Sequence, residues 1–274
     1  MRSLMKVLKE HSDNLYLINR LSLYEMKSLN NNTFLGFWWE VLNPLILISI
    51  YWFVFGFGIF SNRGNIELYG TEIDFLPWML SGIVVWFFIS PAILQSSKSI
   101  YSKIKIISKM SFPMSVIPTY VIMSKIYQHI VLLLIIIVML IYLDFPINIH
   151  YLQLPYFIFC TVILLMAIGF ITSTLTTLLR DIQMVIQAIV RVLIYMTPFL
   201  WPPYHMKPEI IVTIMKLNPL FYLAEGYRAS LLGLAWYPVE HWQYTIYFWV
   251  VTITLLMMGS FLHLKFRKRF VDFL

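Results

Sequence analysis

Apolar runs separated by short polar segments dominate the chain. Stretches at roughly 41–60, 75–95, 117–142, 153–178, 183–201 and 243–264 are each near 20 residues long and nearly free of charge. At about 1.5 Å of rise per helical residue, a run of that length crosses a hydrocarbon core of about 30 Å. The pattern therefore predicts six transmembrane helices. Ahead of them, Leu4, Leu8, Leu15, Ile18, Leu21 and Leu29 recur at three-, four- and seven-residue steps among Lys6, Lys9, Arg20 and Lys27. That spacing predicts an amphipathic helix within 1–36, either lying in the membrane interface or packing on a partner; the two are compatible. Between the fifth and sixth runs, 210–234 is apolar but broken by Asn218, Pro219 and Gly226. Short re-entrant helices dipping into the outer leaflet suit it better than a clean span, with a surface domain as the alternative. The predicted fold class is thus all-α integral membrane, one domain over 1–274, with spans in 41–264 and a tail at 265–274. The first long apolar run starts far behind a charged leader with no small-residue cleavage site, so no cleaved signal peptide is expected.

Composition agrees with the bilayer as solvent. Of 274 residues, 60% are hydrophobic and 12% charged, against about 25% charged in soluble domains. The net charge of +7 lies in segments between apolar runs rather than on one soluble surface, which excludes nucleic acid as a partner and makes the charge topological. Arg2, Lys6, Lys9, Arg20 and Lys27 precede the first span, Lys98, Lys103, Lys105 and Lys109 follow the second, and Lys265, Arg267, Lys268 and Arg269 follow the sixth. Basic residues stay in the cytoplasm, so both termini are predicted there. The lone Cys160 permits neither an intrachain disulfide nor a Cys-based metal site.

Polar groups inside the spans are the candidates for chemistry, because an Arg or Lys at mid-membrane costs about 2.5–3.5 kcal/mol. Gln183, Gln187, Arg191 and Tyr195 form a four-residue ladder that makes one face of the fifth helix polar. This face borders a polar path in which Arg191 attracts phosphates, or it is a hydrogen-bonded contact between helices or subunits. Lys125 and His129 lie one turn apart in the third span, where Lys125 is expected to snorkel to the interface. Trp38, Trp39, Trp52, Trp78, Trp86, Trp201 and Trp242 mostly flank spans, as an aromatic belt would. The chain has no phosphate-binding G-x-x-x-x-G-K-[ST] loop, no H-E-x-x-H or clustered metal ligands, no G-x-S-x-G turn and no paired acids suited to Mg²⁺. Driven work by this chain would need energy from another subunit.

Five stretches carry a resemblance. The run Leu35-Gly36-Phe37-Trp38-Trp39-Glu40-Val41-Leu42-Asn43-Pro44 leads into the first span; Lys109-Met110-Ser111-Phe112-Pro113 precedes the third; Leu179-Arg180-Asp181 joins the fourth and fifth; Thr197-Pro198-Phe199-Leu200-Trp201-Pro202 ends the fifth; and Leu217-Asn218-Pro219 with Glu225-Gly226-Tyr227-Arg228 lies in the outer segment. In order and in register with the topology, they resemble the ABC-2 type polysaccharide-export permeases over nearly the whole chain. Within that family, His11 to Lys27, with Tyr16-Leu17-Ile18-Asn19-Arg20-Leu21, most resembles the teichoic-acid translocation permeases of Gram-positive bacteria. Where many relatives carry basic residues before the Leu-Gly pair, this chain has Asn30-Asn31-Asn32-Thr33.

The resemblance implies a multi-pass permease of the cytoplasmic membrane that pairs with a second copy of itself and with two cytoplasmic ATPase subunits. ATP and Mg would be bound there, with no cofactor and no catalytic site in this chain. Lys98, Lys103, Lys105, Lys109 and Phe112 would form a coupling helix on the ATPase, beside Arg180 and Asp181. A polymer on a polyprenyl diphosphate would enter past Arg20, Lys27, Phe34, Phe37, Trp38 and Trp39 and follow Gln183, Gln187, Arg191 and Tyr195, with Asn218, Glu225, Tyr227 and Arg228 shaping the outer segment. The expected cargo is wall teichoic acid; the alternatives are a neutral lipid-linked polysaccharide such as O-antigen or capsule and, further off, a membrane-embedded transferase.

Overall fold

The computed structural model describes residues 2–28, 33–59, 66–107, 113–204, 210–267 and 269–270, with backbone alone at 58–59 and 105–107. In chain order the elements are α1 (Arg2–Asp13), α2 (Leu15–Ser28), α3 (Trp39–Tyr51, continued by a wider turn Trp52–Ile59), β1 (Ile66–Leu68), β2 (Thr71–Ile73), α4 (Phe75–Ile107), α5 (Val116–Tyr142), α6 (Leu154–Leu178), α7 (Ile182–Met196), α8 (Ile210–Lys216), α9 (Pro219–Leu232), α10 (Tyr237–Glu240) and α11 (Trp242–Phe266). Five stretches among the described residues are long and apolar enough to cross a membrane: Gly36–Phe57, Phe75–Ile104, Val116–Tyr142, Ile149–Leu178 and Trp242–Phe266. This is a multi-pass membrane protein.

The expected fifth span is α7, and it is short. Its 15 residues reach roughly 22 Å at about 1.5 Å each. Pro198 sets the limit: a proline pushes the residue before it out of helical geometry, and Thr197 is extended at φ −111° and ψ 146°. The second span errs the other way. Instead of stopping near residue 95, α4 runs on to Ile107, so Lys98 and Lys103 sit on its last turns. Lys109 and Phe112 lie outside the described residues, as does the side chain of Lys105.

The single amphipathic N-terminal helix is two helices. Asn14 donates from its side chain to the Glu10 carbonyl at 2.7 Å, the kind of local bond by which Asn competes with the helical ladder. The buried face also differs from the expected leucine stripe: Leu8 and Leu15 are exposed, while Val7, His11, Ile18 and Ser22 are buried. Val7 packs with Ala167, Phe170 and Leu256, and Ile18 with Ile100, Ile104, Val116, Tyr120 and Phe270. The two helices thus close one end of the bundle, here called the near end. Polar ties reinforce the docking: Glu10 pairs with Arg267 at 2.8 Å and accepts from Ser115 at 2.6 Å, and Lys103 pairs with Glu25 at 2.6 Å and donates to Tyr120 at 2.9 Å. His11 donates through Nδ1 to the Val7 carbonyl and accepts at Nε2 from Thr119, both at 2.7 Å. Burial holds its imidazole below the ordinary value, which keeps this neutral tautomer.

The core gathers around α4, whose side chains from Trp78 to Val85 are all buried. At the far end, α9 is buried from Leu220 through Leu232, packed against α4, α6 and α11. Its start is dictated by Leu217-Asn218-Pro219: Asn218 Oδ1 accepts from the Leu220 amide at 3.0 Å, and Pro219 occupies the first turn, where no amide is needed. Gly226 lets α9 lie on Phe157, since a Cβ there would come within 2.0 Å of its ring. The β1–β2 hairpin, which the hydrophobic pattern did not predict, closes through Tyr69 and Gly70, both at positive φ (53° and 74°). Two such residues make the turn that matches strand twist, normally built from Asn-Gly. A tyrosine in that conformation costs on the order of 1–3 kcal/mol.

Candidate functional site

A cavity of about 820 Å³ opens between α3, α4 and α7. From α4 come Trp86, Ser90, Pro91, Leu94, Gln95 and Lys98, from α7 Gln183, Gln187, Arg191 and Tyr195, and from α3 Leu47 and Tyr51. The spacing 183, 187, 191, 195 keeps the α7 residues on one face over about 18 Å of helix axis. The α4 positions follow the same periodicity. Among the described residues two cations, Lys98 and Arg191, and no carboxylate line the space, so its field favours anions.

The ladder divides in two. Gln183 is buried and committed, accepting from Ser97 at 2.8 Å and donating to the Leu94 carbonyl at 3.3 Å, which fastens α7 to α4 at the near end. Arg191 is exposed and, among the described residues, makes no ion pair or side-chain hydrogen bond. Met184, Val185, Ile189, Val192 and Met196 of the same helix are also exposed, so the polar ladder is bordered by apolar side chains.

The far end of α7 is held by Arg228, which is wholly buried. Its Nε donates to the Trp78 carbonyl at 3.2 Å, Nη1 to Tyr204 at 3.1 Å and to Glu225, and Nη2 to the Pro198 carbonyl at 2.7 Å. The guanidinium lies 4.0 Å from the Trp78 ring centre, and Tyr204 donates to Glu225 at 2.9 Å. Gly82 leaves the room this requires, because a Cβ would fall 2.2 Å from Arg228 Nη2. Asn218 adds a bond to Thr197 at 3.0 Å. Tyr227 instead pairs with His129 at 2.9 Å. Glu225 and Arg228 therefore form a buried clamp, and none of the four far-segment residues singled out in the sequence lines the cavity.

Other expectations land elsewhere. Arg20, Lys27, Phe34, Trp38 and Trp39 are exposed and Phe37 is half-buried, and none of them lines the cavity. Arg180 and Asp181 are exposed on the turn into α7. Trp78 and Trp86 are core side chains, not members of a belt. Lys125 does not snorkel: it is fully buried, with Nζ 3.6 Å from Glu40 of α3. This corrects the snorkelling expectation, because an acid on the neighbouring helix compensates the charge where it stands. Glu40→Gln should leave that ammonium without its counter-charge and lower stability by about 1–3 kcal/mol; Glu40→Gln with Lys125→Met should recover most of the loss. Thermal stability of the purified protein checks this, and a double variant no better than the single one would refute the pairing. Sequence reasoning also missed Gln95, Tyr51 and Tyr204. For Gln95 the signal was present, since Ser90, Pro91, Leu94, Gln95 and Lys98 share one helical face.

No three His, Cys, Asp or Glu side chains among the described residues gather as a metal site would require. Residues 16–232 match the ABC-2 type transporter family. An O-antigen export system permease protein RfbA of Myxococcus xanthus is 25% identical over 207 residues, 75% of this chain and 76% of that protein. One of Klebsiella pneumoniae is 24% identical over 263 residues, 94% of this chain and 96% of its own length. With the family match running from α2 to the end of α9, the chain belongs to the ABC-2 type transporter family.

Proposed function

We propose that this chain is the membrane-embedded permease subunit of an ATP-driven exporter of a lipid-linked polysaccharide. Two copies would work with two cytoplasmic ATPase subunits, which bind ATP and Mg. The observation that carries this reading is the cavity with Arg191 on its wall. A guanidinium exposed within a span is costly in lipid, and it is accommodated if a second copy closes the cavity into a water-filled passage. Six helices of one copy scarcely enclose a path for a polymer, and the exposed apolar faces of α3 and α7 flank the opening. The diphosphate of a lipid carrier suits the cationic lining, while the lipid tail stays in the bilayer.

The near end, with its Lys and Arg residues, would face the cytoplasm. Coupling then falls to Arg180 and Asp181, since Glu25 engages Lys103 and Lys98 lines the cavity. The names of the relatives that align along nearly the full chain favour an O-antigen-type polysaccharide over the wall teichoic acid suggested by the N-terminal pattern. The test is to purify the chain with its ATPase, reconstitute the pair and titrate polyprenyl-diphosphate-linked polymers. Neutral polysaccharide should stimulate ATP hydrolysis more than poly(glycerol phosphate) does. An ATPase that does not co-purify, or that responds to neither polymer, would overturn the reading.

A further inference from the structure

A second cavity, of about 580 Å³, lies at the far end, away from the path. Pockets for small molecules span about 300–1,000 Å³. Tyrosines dominate its wall, together with His241, Gln243, Lys216 and Glu225. Three observations mark it as built for a ligand. Tyr244 and Tyr247 form a platform, their rings 5.9 Å apart and 17° from parallel. Both hydroxyls are spent on the end of α8, Tyr244 on the Lys216 carbonyl at 2.8 Å and Tyr247 on the Leu217 carbonyl at 2.7 Å. The rings are thereby held in place before anything binds, which lowers the entropic cost of binding. On the same wall, Tyr69 sits at the strained first position of the hairpin turn, where Asn or Gly would fit with less cost, and its hydroxyl meets His241 Nε2 at 2.8 Å. Strain kept at such a point is a pointer to function.

The chemistry of the wall selects the ligand. Aromatic faces are negative and attract C–H groups, while phenol, imidazole and amide tips exchange hydrogen bonds with hydroxyls. A pyranose ring offers one apolar C–H face and a rim of hydroxyls. An anion is disfavoured: among the described residues Glu225 lines the wall and Lys216 is the one cation that does. Burial, then the fields of Glu225 and Glu240, hold the Tyr69 phenol well above its ordinary range, with Arg228 acting the other way, so added negative charge is resisted here.

We infer that the far-end cavity is a binding subsite for an uncharged pyranose unit, stacked on the Tyr244–Tyr247 platform and hydrogen-bonded by Tyr69, His241 and Gln243. This rests on the polysaccharide reading and adds to it a point where the emerging chain is held outside the path.

The test is saturation-transfer NMR on the full chain in nanodiscs free of maltoside detergent, with maltotriose as the neutral probe and a glycerol phosphate trimer as the anionic one. Maltotriose should receive saturation at its ring C–H protons, and the glycerol phosphate trimer should not. Tyr244→Ala and Tyr69→Gly should each weaken maltotriose binding at least tenfold. Tyr69→Gly also relieves the turn, so its thermal stability should equal or exceed that of the parent while binding falls, which a merely structural tyrosine would not do. No saturation of maltotriose, equal saturation of the anionic trimer, or binding unchanged in both variants would overturn the inference. Because this measurement needs no ATPase, a failed subsite with intact polymer-stimulated ATP hydrolysis condemns the subsite alone; sugar binding without any ATPase partner condemns the export reading alone.

Discussion

Arg228→Ala is expected to destabilise the protein by about 3–5 kcal/mol, the range for removing one member of a buried ion pair. The loss has three sources. Glu225 keeps a buried carboxylate whose remaining described side-chain donor is Tyr204; the Trp78 and Pro198 carbonyls lose their donor; and the Trp78 ring loses the cation on its face. Glu225→Ala should cost a similar amount for the mirrored reason, a guanidinium left buried with neutral partners only. Arg228→Met combined with Glu225→Leu should cost clearly less than the two alanine variants summed, because the apolar pair leaves no charge stranded. Denaturant titration in micelles with far-UV circular dichroism measures all of these. A loss below about 1 kcal/mol in both single variants, within the range of an ordinary hydrogen bond, would show that the clamp does not hold the far end together.

The clamp was legible in the sequence only as a motif. Glu225-Gly226-Tyr227-Arg228 stood out, and the three-residue spacing put Glu225 and Arg228 on one helical face, yet Trp78, Pro198 and Tyr204 lie 24 to 150 residues from Arg228 and no local pattern joins them. The ladder was legible because its chemistry is periodic: Gln183, Gln187, Arg191 and Tyr195 repeat at one helical turn, and the cavity receives all four. Helix limits were less so. Hydropathy falls where Lys98 begins, but α4 continues through Lys103, since Glu25 and Tyr120 neutralise and cover that charge. A hydropathy plot sees the charge and not the docked partner. Lys125 repeats the lesson, with Glu40 as the unseen partner. The hairpin was invisible for a different reason: three-residue strands around Tyr-Gly lack the alternation and the Asn-Gly pair that announce one.

These contacts also say how α7 can be both rigid and available. Its near end is tied by Gln183 to Ser97 and Leu94. Its far end is tied through Pro198 to Arg228 and through Thr197 to Asn218. Gln187, Arg191 and Tyr195 lie between the two ties, and among the described residues none of their side chains makes a hydrogen bond or ion pair. Under the proposed function, a polymer moving past them would need contacts that release as readily as they form, and side chains left free would provide that without disturbing the helix that carries them.

Arg191→Ala should therefore separate stability from transport. With the ties at both ends of α7 untouched, the variant should insert and fold as the parent does, and it sheds a mid-membrane cost of about 2.5–3.5 kcal/mol wherever the guanidinium met lipid. Export of lipid-linked polysaccharide should fall on the order of tenfold or more, the factor expected from one lost charge-assisted hydrogen bond of about 1.5–3 kcal/mol. Arg191→Lys should retain part of the activity, since the charge stays while the planar fork is lost. Gln187→Leu should show a smaller loss, having no charge to forfeit. Surface polymer measured in cells, beside the melting temperature of each purified variant, reads both quantities. Parental export in Arg191→Ala would remove the guanidinium from the path, and a fall in melting temperature that tracks the fall in export would make it a structural contact.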